Sequence, residues 1–101
     1  MIEHIVLLNL KDGVTEAQTQ ALHDGLIVLK EKGTIPGIES VTAGYNNSPE
    51  GKEHGFTWGF TMRFTNAAAR DAYLPHPDHQ ELGATLLRPL VDDVLVFDYE
   101  S

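Results

Sequence analysis

The chain has no cysteine, few basic residues and no long hydrophobic run. Without cysteine there is no disulfide, no thiolate nucleophile and no thiolate metal ligand. Seven lysines and arginines against fifteen acidic residues give a formal net charge of −8, which repels phosphate backbones and anionic lipid surfaces. The apolar runs are too short to cross a bilayer, and the first residues show no signal-peptide pattern. We therefore expect no nucleic-acid or membrane partner, and a cytoplasmic location.

The 101 residues, of which 42% are hydrophobic, predict one domain over residues 1–101. Apolar patterning of period two predicts strands over residues 2–10, 38–45, 56–64 and 94–99. Helices are predicted over residues 16–32, 67–73 and 78–90. Thr15 with Gln18 forms a capping-box signature for the first helix. Its buried stripe is predicted to comprise Ala17, Ala21, Leu22, Leu26 and Leu29, and that of the last helix Leu82, Leu86, Leu87 and Leu90.

The order strand, helix, strand, strand, broken helix, strand predicts an α+β fold of the ferredoxin-like βαββαβ type. Its helices cover one face of an antiparallel sheet. The first and last strands, however, are apolar on both faces, so a single chain would leave a large apolar sheet face in water. A second copy is the simplest cover, and we therefore predict a homodimer in which two sheets close into an α/β barrel.

The stretch from Tyr73 to His79 concentrates the side chains suited to chemistry. Pro75 and Pro77 are predicted to end one helix, with Leu74 pushed out of helical geometry, and to start the next at Pro77. His79 then lies in a first helical turn, where the macrodipole favours a neutral ring, although Asp78 opposes this. The alternative is that the prolines only punctuate a turn and the histidines are structural. His76 lies outside the helix, so its spacing from His79 predicts no metal site.

The chain resembles the stress-responsive dimeric α/β-barrel (Dabb) family over essentially its whole length. The resemblance implies a ferredoxin-like protomer whose sheets join into a dimeric barrel, in agreement with the argument from the strand faces. It is carried by His4-Ile5-Val6-Leu7-Leu8, Ile35-Pro36-Gly37-Ile38 with Gly44, Gly55-Phe56-Thr57, Arg70-Asp71-Ala72-Tyr73 with His76-Pro77-Asp78-His79, and residues 94–99.

One branch of that family closes linear polyketides by an intramolecular aldol reaction without a metal or an organic cofactor. The resemblance implies that Tyr73 and His79 match its catalytic tyrosine and histidine, and that His4 matches a pocket histidine. Trp58 stands where that branch has a second pocket histidine, which removes a polar group and fills volume. Some members also hold a cation on main-chain carbonyls, for which the matching positions are Lys32, Ile35 and Ile38.

Two hypotheses about function follow. In the first, a stress-responsive dimeric barrel protein binds a small, partly apolar molecule in a cavity between sheet and helices, and Tyr73 and His79 are structural. The ligand-binding residues are then predicted to be His4, Trp58, Phe60 and His76. In the alternative, the protein is a cofactor-free cyclase or lyase, with His79 as the base and Tyr73 as the donor that stabilises an enolate oxygen. Neither hypothesis calls for a cofactor.

Overall fold

The computed structural model describes all residues from Met1 to Ser101. Its elements are β1 (Ile2–Leu10), α1 (Glu16–Glu31), β2 (Ile38–Tyr45), β3 (Trp58–Phe64), α2 (Ala67–Tyr73), α3 (Pro77–Leu82) and β4 (Val91–Glu100). The four strands form one antiparallel sheet in the order β2-β3-β1-β4, which confirms the predicted ferredoxin-like α+β arrangement. None of the helices has the length and the apolar character that crossing a bilayer requires.

Helix α1 begins with the predicted capping box, in which the Gln18 amide donates to Thr15 and the Gln18 side chain accepts from the Thr15 amide. Leu22, Leu26 and Leu29 are buried as predicted, but Ala17 and Ala21 are exposed. Thr19 is buried in their place. Its hydroxyl lies 2.7 Å from the Tyr45 hydroxyl and 3.1 Å from the Glu16 carbonyl oxygen, so the buried polar group is satisfied.

The predicted last helix over residues 78–90 is wrong as one regular element. Helix α3 ends at Leu82 and is followed by a π-helical turn, Gly83–Leu87, and a 3₁₀ turn, Arg88–Leu90. Pro89 has no amide hydrogen to donate, so a regular helix cannot continue through it. Leu82 and Leu90 are buried, whereas Leu86 and Leu87 are only half-buried.

The two faces of the sheet differ in their cover. Helices pack on the face that carries the buried Leu8, Trp58, Phe60, Met62 and Phe64. The opposite face, here called the open face, has no cover within the protomer. On it, the β4 side chains Leu95, Phe97 and Tyr99 are 42%, 59% and 49% exposed. A single chain therefore leaves in water the apolar surface that the sequence predicted.

Candidate functional site

The segment Leu74-Pro75-His76 joins α2 to α3. Helix α2 ends at Tyr73 as predicted, but Leu74 keeps helical angles (φ −55, ψ −46), so the prediction that Pro75 displaces it from that region is wrong. The chain turns at His76, whose backbone is extended (φ −61, ψ 135), and α3 begins at Pro77. The Nδ1 atom of His76 accepts a hydrogen bond from the Asp78 amide over 3.1 Å. This predicted ligand residue thus caps α3.

His79 presents one free ring nitrogen. Its Nδ1 lies 2.8 Å from the Leu74 carbonyl oxygen, and because a carbonyl can only accept, Nδ1 carries the hydrogen and Nε2 keeps a lone pair. Burial lowers the pKa of His79 below its ordinary value, which favours the neutral ring. The predicted neutrality agrees with this direction, but burial is its largest cause. Asp78 is turned away, accepting hydrogen bonds from Lys32 and Thr34.

Tyr73 lies between two imidazoles. Its ring centroid is 4.1 Å from that of His79 and 6.0 Å from that of His4, and the residue is only 1% exposed. No side chain or backbone group of the chain bonds its hydroxyl. Among the fully buried side-chain polar atoms, only Oε2 of Glu53 lacks a hydrogen-bond partner. The Tyr73 hydroxyl also lacks a partner, so it is not fully buried and touches solvent through a small opening. Burial raises the pKa of Tyr73, which keeps it a neutral phenol that can donate.

His4 reaches the same cluster from β1. The residue is 4% exposed, and its Nδ1 lies 2.7 Å from Oδ1 of Asp98 on the neighbouring strand β4. The other oxygen of Asp98 accepts from Arg70 over 3.3 Å, and Arg70 also donates to Asp71 over 3.1 Å. The sequence analysis missed Asp98. The available signal was an acidic residue that shares a strand face with the apolar Val94 and Val96.

Trp58 and Phe60 place aromatic surface beside these polar groups. They are 4% and 5% exposed, their ring centroids are 6.3 Å apart, and Phe60 lies 6.5 Å from His4. A cavity of about 760 Å³ lies elsewhere, between the open face and the connection from β2 to β3. The structure therefore brings Tyr73, His79 and His4 together in one cluster with Phe60 at its side.

The predicted cation positions fall around the connection between α1 and β2. Lys32 caps the C-terminus of α1, Ile35 is buried, and Ile38 is the first residue of β2. Cation binding by their carbonyl oxygens stays a prediction. Elsewhere, no three histidine, aspartate or glutamate side chains lie close enough together to hold a metal ion.

The whole chain matches a known family. The model of the stress-responsive A/B barrel domain, Dabb, matches residues 2–101. The chain belongs to the Dabb family. Two relatives of this Dabb protein cover nearly all of it. Olivetolic acid cyclase of Cannabis sativa is 29% identical over 98 residues, which are 97% of this chain and 94% of the cyclase. Stress-response A/B barrel domain-containing protein HS1 of Arabidopsis thaliana is 31% identical over 99 residues, which are 98% of this chain and 88% of HS1.

Solved structures agree with the Dabb fold. A crystal structure of an Arabidopsis thaliana protein superposes with a TM-score of 0.89 at 31% identity, covering 100% of this chain and 95% of that one. A Jannaschia protein described as dimeric, ferredoxin-like and of unknown function superposes with a TM-score of 0.75 at 31% identity, covering 99% and 98%. The fold of the Dabb protomer is thus shared with proteins of similar length.

Proposed function

We propose that this Dabb protein is a homodimer that binds a small, partly apolar molecule beside Tyr73, on the helix side of the sheet. The observation that carries the proposal is the Tyr73 hydroxyl, which has no partner in the chain although its ring is buried. An unpaired hydroxyl costs little only while it meets water or a ligand. The two flanking imidazoles make the surroundings of this hydroxyl polar, and a ligand oxygen there would accept the hydrogen bond of the phenol.

The groups around Tyr73 define the chemistry of the ligand. The Tyr73 phenol donates a hydrogen bond, and Nε2 of the neutral His79 ring accepts one. A ligand fits both if it carries a carbonyl or hydroxyl oxygen that accepts from Tyr73 and a neighbouring donor group that bonds to His79. His4 adds an imidazole edge, while Trp58 and Phe60 supply apolar surface. A small number of placed polar groups within aromatic walls is typical of small-molecule sites. A ring or short chain bearing one or two oxygens is therefore the ligand class.

A nuclear magnetic resonance screen tests this binding directly. A panel of alkylphenols and aliphatic 3-oxo acids is titrated into isotopically labelled protein. We expect the ring signals of His4, Tyr73 and His79 to shift together in a saturable way. His23 and His54 serve as internal controls because they lie in α1 and in the β2–β3 connection, and their signals should stay in place. Shifts confined to these two controls, or no saturable shift with any compound, would remove the proposal.

The proposal of a homodimer is based on the apolar side chains of the open face. Exposed Leu95, Phe97 and Tyr99 are the kind of contiguous apolar surface that marks an interface, and the Jannaschia relative is described as dimeric. Sedimentation at micromolar concentration should give the mass of two chains, and a stable folded single chain would contradict the proposal. A cytoplasmic location stays a prediction.

A second candidate function is catalysis of an aldol-type ring closure without a cofactor. The orientation of His79 favours it, since the Leu74 carbonyl fixes the hydrogen on Nδ1 and leaves Nε2 able to take a proton. His79 would remove a proton from the carbon between two carbonyls, and Tyr73 would donate to the enolate oxygen. The carbanion then attacks a further carbonyl of the same molecule, and the oxygen of that carbonyl takes up the proton that His79 removed. The similarity to olivetolic acid cyclase supports this candidate, and the bulk of Trp58 points to a smaller substrate.

Proton exchange separates the two functions. In heavy water, the enzyme would exchange the acidic α-hydrogens of 3,5-dioxo acids faster than buffer does, as seen by loss of their proton signals. His79→Gln should abolish the enhancement, and Tyr73→Phe should reduce it. His54→Gln is the matched control and should leave the exchange rate unchanged. If the wild-type protein does not accelerate exchange for any compound that binds, binding is the function and the cyclase candidate is wrong.

A further inference from the structure

A small cavity lies on the helix side of the sheet, between α1 and the edge strand β2. Its volume is about 240 Å³. At a share of about 30 Å³ for each water molecule, this volume has room for about eight non-hydrogen atoms. None of Tyr73, His79 and His4 lines it, so it is separate from the cluster described above. The polar side chains that line it are Glu16, Thr19, Gln20, His23, Tyr45 and Trp58.

The indole N–H of Trp58 has no acceptor within the chain. Trp58 is only 4% exposed, yet its nitrogen is not among the fully buried polar atoms that lack a partner. The nitrogen therefore meets a small opening. Side chains alternate along β3, so the Trp58 ring shares the helix face with Phe60 and Met62 and points away from the open face. The opening that it meets is thus the cavity between α1 and β2, and a buried indole N–H calls for an acceptor there.

The hydroxyl of Tyr45 is left as an acceptor. Thr19 has a single hydroxyl hydrogen, which it donates over 3.1 Å to the Glu16 carbonyl oxygen, a group that can only accept. The Tyr45 hydroxyl lies 2.7 Å from the Thr19 hydroxyl, so Tyr45 must be the donor of that pair. The Tyr45 oxygen keeps its lone pairs. It can therefore accept a hydrogen bond from a ligand.

The cavity has an acidic rim. The Glu16 carboxylate is exposed in the first turn of α1, and all five ion pairs of the chain involve other carboxylates. The chain also carries a formal net charge of −8, which favours the approach of cations. Glu16 is thus free to pair with a ligand ammonium group. The alternative is that Glu16 only stabilises the N-terminus of α1 through the macrodipole.

We propose that this cavity is a second ligand site, for a short amine that also carries a carbonyl or hydroxyl oxygen. The ligand oxygen accepts from the Trp58 indole N–H, while the ammonium group pairs with Glu16 and donates to the Tyr45 oxygen. The site does not depend on the proposed function beside Tyr73. Alkylphenols and 3-oxo acids carry no ammonium group, so they should leave the His23 signals in place.

Titration with 4-aminobutanamide tests the site. Trp58 is the only tryptophan of the chain, so its indole N–H gives one nuclear magnetic resonance signal. We expect a saturable shift of this signal together with the His23 ring signals, while those of Tyr73 and His79 stay in place. Butylamine has the ammonium group without the oxygen and should bind about 2- to 10-fold more weakly. Butanamide has the oxygen without the ammonium group and should bind at least about twofold more weakly.

Two variants separate the contributions of Glu16 and Trp58. Glu16→Gln should weaken 4-aminobutanamide at least about twofold and leave butanamide unchanged. Glu31→Gln, at the other end of α1, is the matched control and should bind both compounds as the wild type does. Trp58→Phe keeps an aromatic ring but removes the donor. Followed through the His23 signals, and with its fold checked by circular dichroism, it should bind 4-aminobutanamide no more tightly than butylamine.

The opposing results are equally clear. If 4-aminobutanamide gives no saturable shift of the Trp58 signal, the cavity is no ligand site. If butylamine binds as tightly, or if Glu16→Gln binds as the wild type does, the two assigned contacts are wrong and the inference falls. Shifts at Tyr73 and His79 in place of Trp58 and His23 would place the amine beside Tyr73. That result overturns this inference and leaves the proposed function standing.

Discussion

Removing the carboxylate of Asp98 should destabilise the protein by leaving His4 without its partner. His4 is 4% exposed, and its Nδ1 has Asp98 as its one hydrogen-bond partner, at 2.7 Å. In Asp98→Ala the ring must keep an unsatisfied polar nitrogen away from water, which costs about 1–3 kcal/mol. Arg70 loses a bond as well, but it keeps Asp71 at 3.1 Å and is partly exposed, so its contribution is small. For a domain of this length, each kcal/mol lowers the melting temperature by about 4–8 °C.

The assay is urea or thermal unfolding followed by circular dichroism at one fixed protein concentration, because dimerisation couples stability to concentration. Asp98→Asn keeps one acceptor oxygen and should fall between the wild type and Asp98→Ala. Asp92→Ala removes an exposed carboxylate from the same strand and should stay within about 0.5 kcal/mol of the wild type. If Asp98→Ala is as stable as Asp92→Ala, the bond between His4 and Asp98 does not hold the cluster together.

Two further predictions concern the pH and the backbone. Burial lowers the pKa of His79 in the folded chain, so the unfolded chain takes up a proton first as the pH falls through about 6.5. The free energy of unfolding then declines until the pH reaches the pKa of the folded chain, and His79→Gln should flatten this decline. Titration of the His79 ring signals should give a pKa below 6.5, and a pKa above 6.5 would contradict the burial of the ring. Gly37→Ala places a side chain at a φ of +91°, and its Cβ would lie 2.5 Å from Ala69. It should therefore destabilise the protein by more than Gly51→Ala, where φ is +68° and no atom lies within 4 Å of the added Cβ. Equal losses in the free energy of unfolding would show that the contact with Ala69 relaxes.

The pattern of apolar residues was enough to predict the fold. The apolar pattern over residues 2–10 and 38–45 predicted both strands with the bounds that the structure shows. The helical period of the apolar residues could not show that Thr19 is buried and Ala17 is exposed. The burial of Thr19 depends on Tyr45 of β2, whose hydroxyl forms a hydrogen bond with the threonine hydroxyl. Nor could the apolar pattern show the π-helical turn at Gly83–Leu87, which differs from a regular helix in its backbone hydrogen bonds.

The candidate site was half predictable. The two prolines in the sequence pointed to Tyr73 and His79, and the structure places the centroids of those two rings 4.1 Å apart. The role of Asp98 depends on its pairing with His4 across β1 and β4, and such register is a property of the folded sheet. Residue type alone led us to predict that His76 binds the ligand, but its ring nitrogen accepts a hydrogen bond from the Asp78 amide at the start of α3.

The Tyr73 hydroxyl decides whether the cluster on the helix side binds a ligand. Calorimetric titration of the tightest compound from the screen should show affinity reduced about 2- to 10-fold in Tyr73→Phe, the value of one net hydrogen bond. Tyr99→Phe removes a hydroxyl from the open face and should bind as the wild type does. Equal affinity of the wild type and Tyr73→Phe, or a loss in Tyr99→Phe alone, would contradict the account.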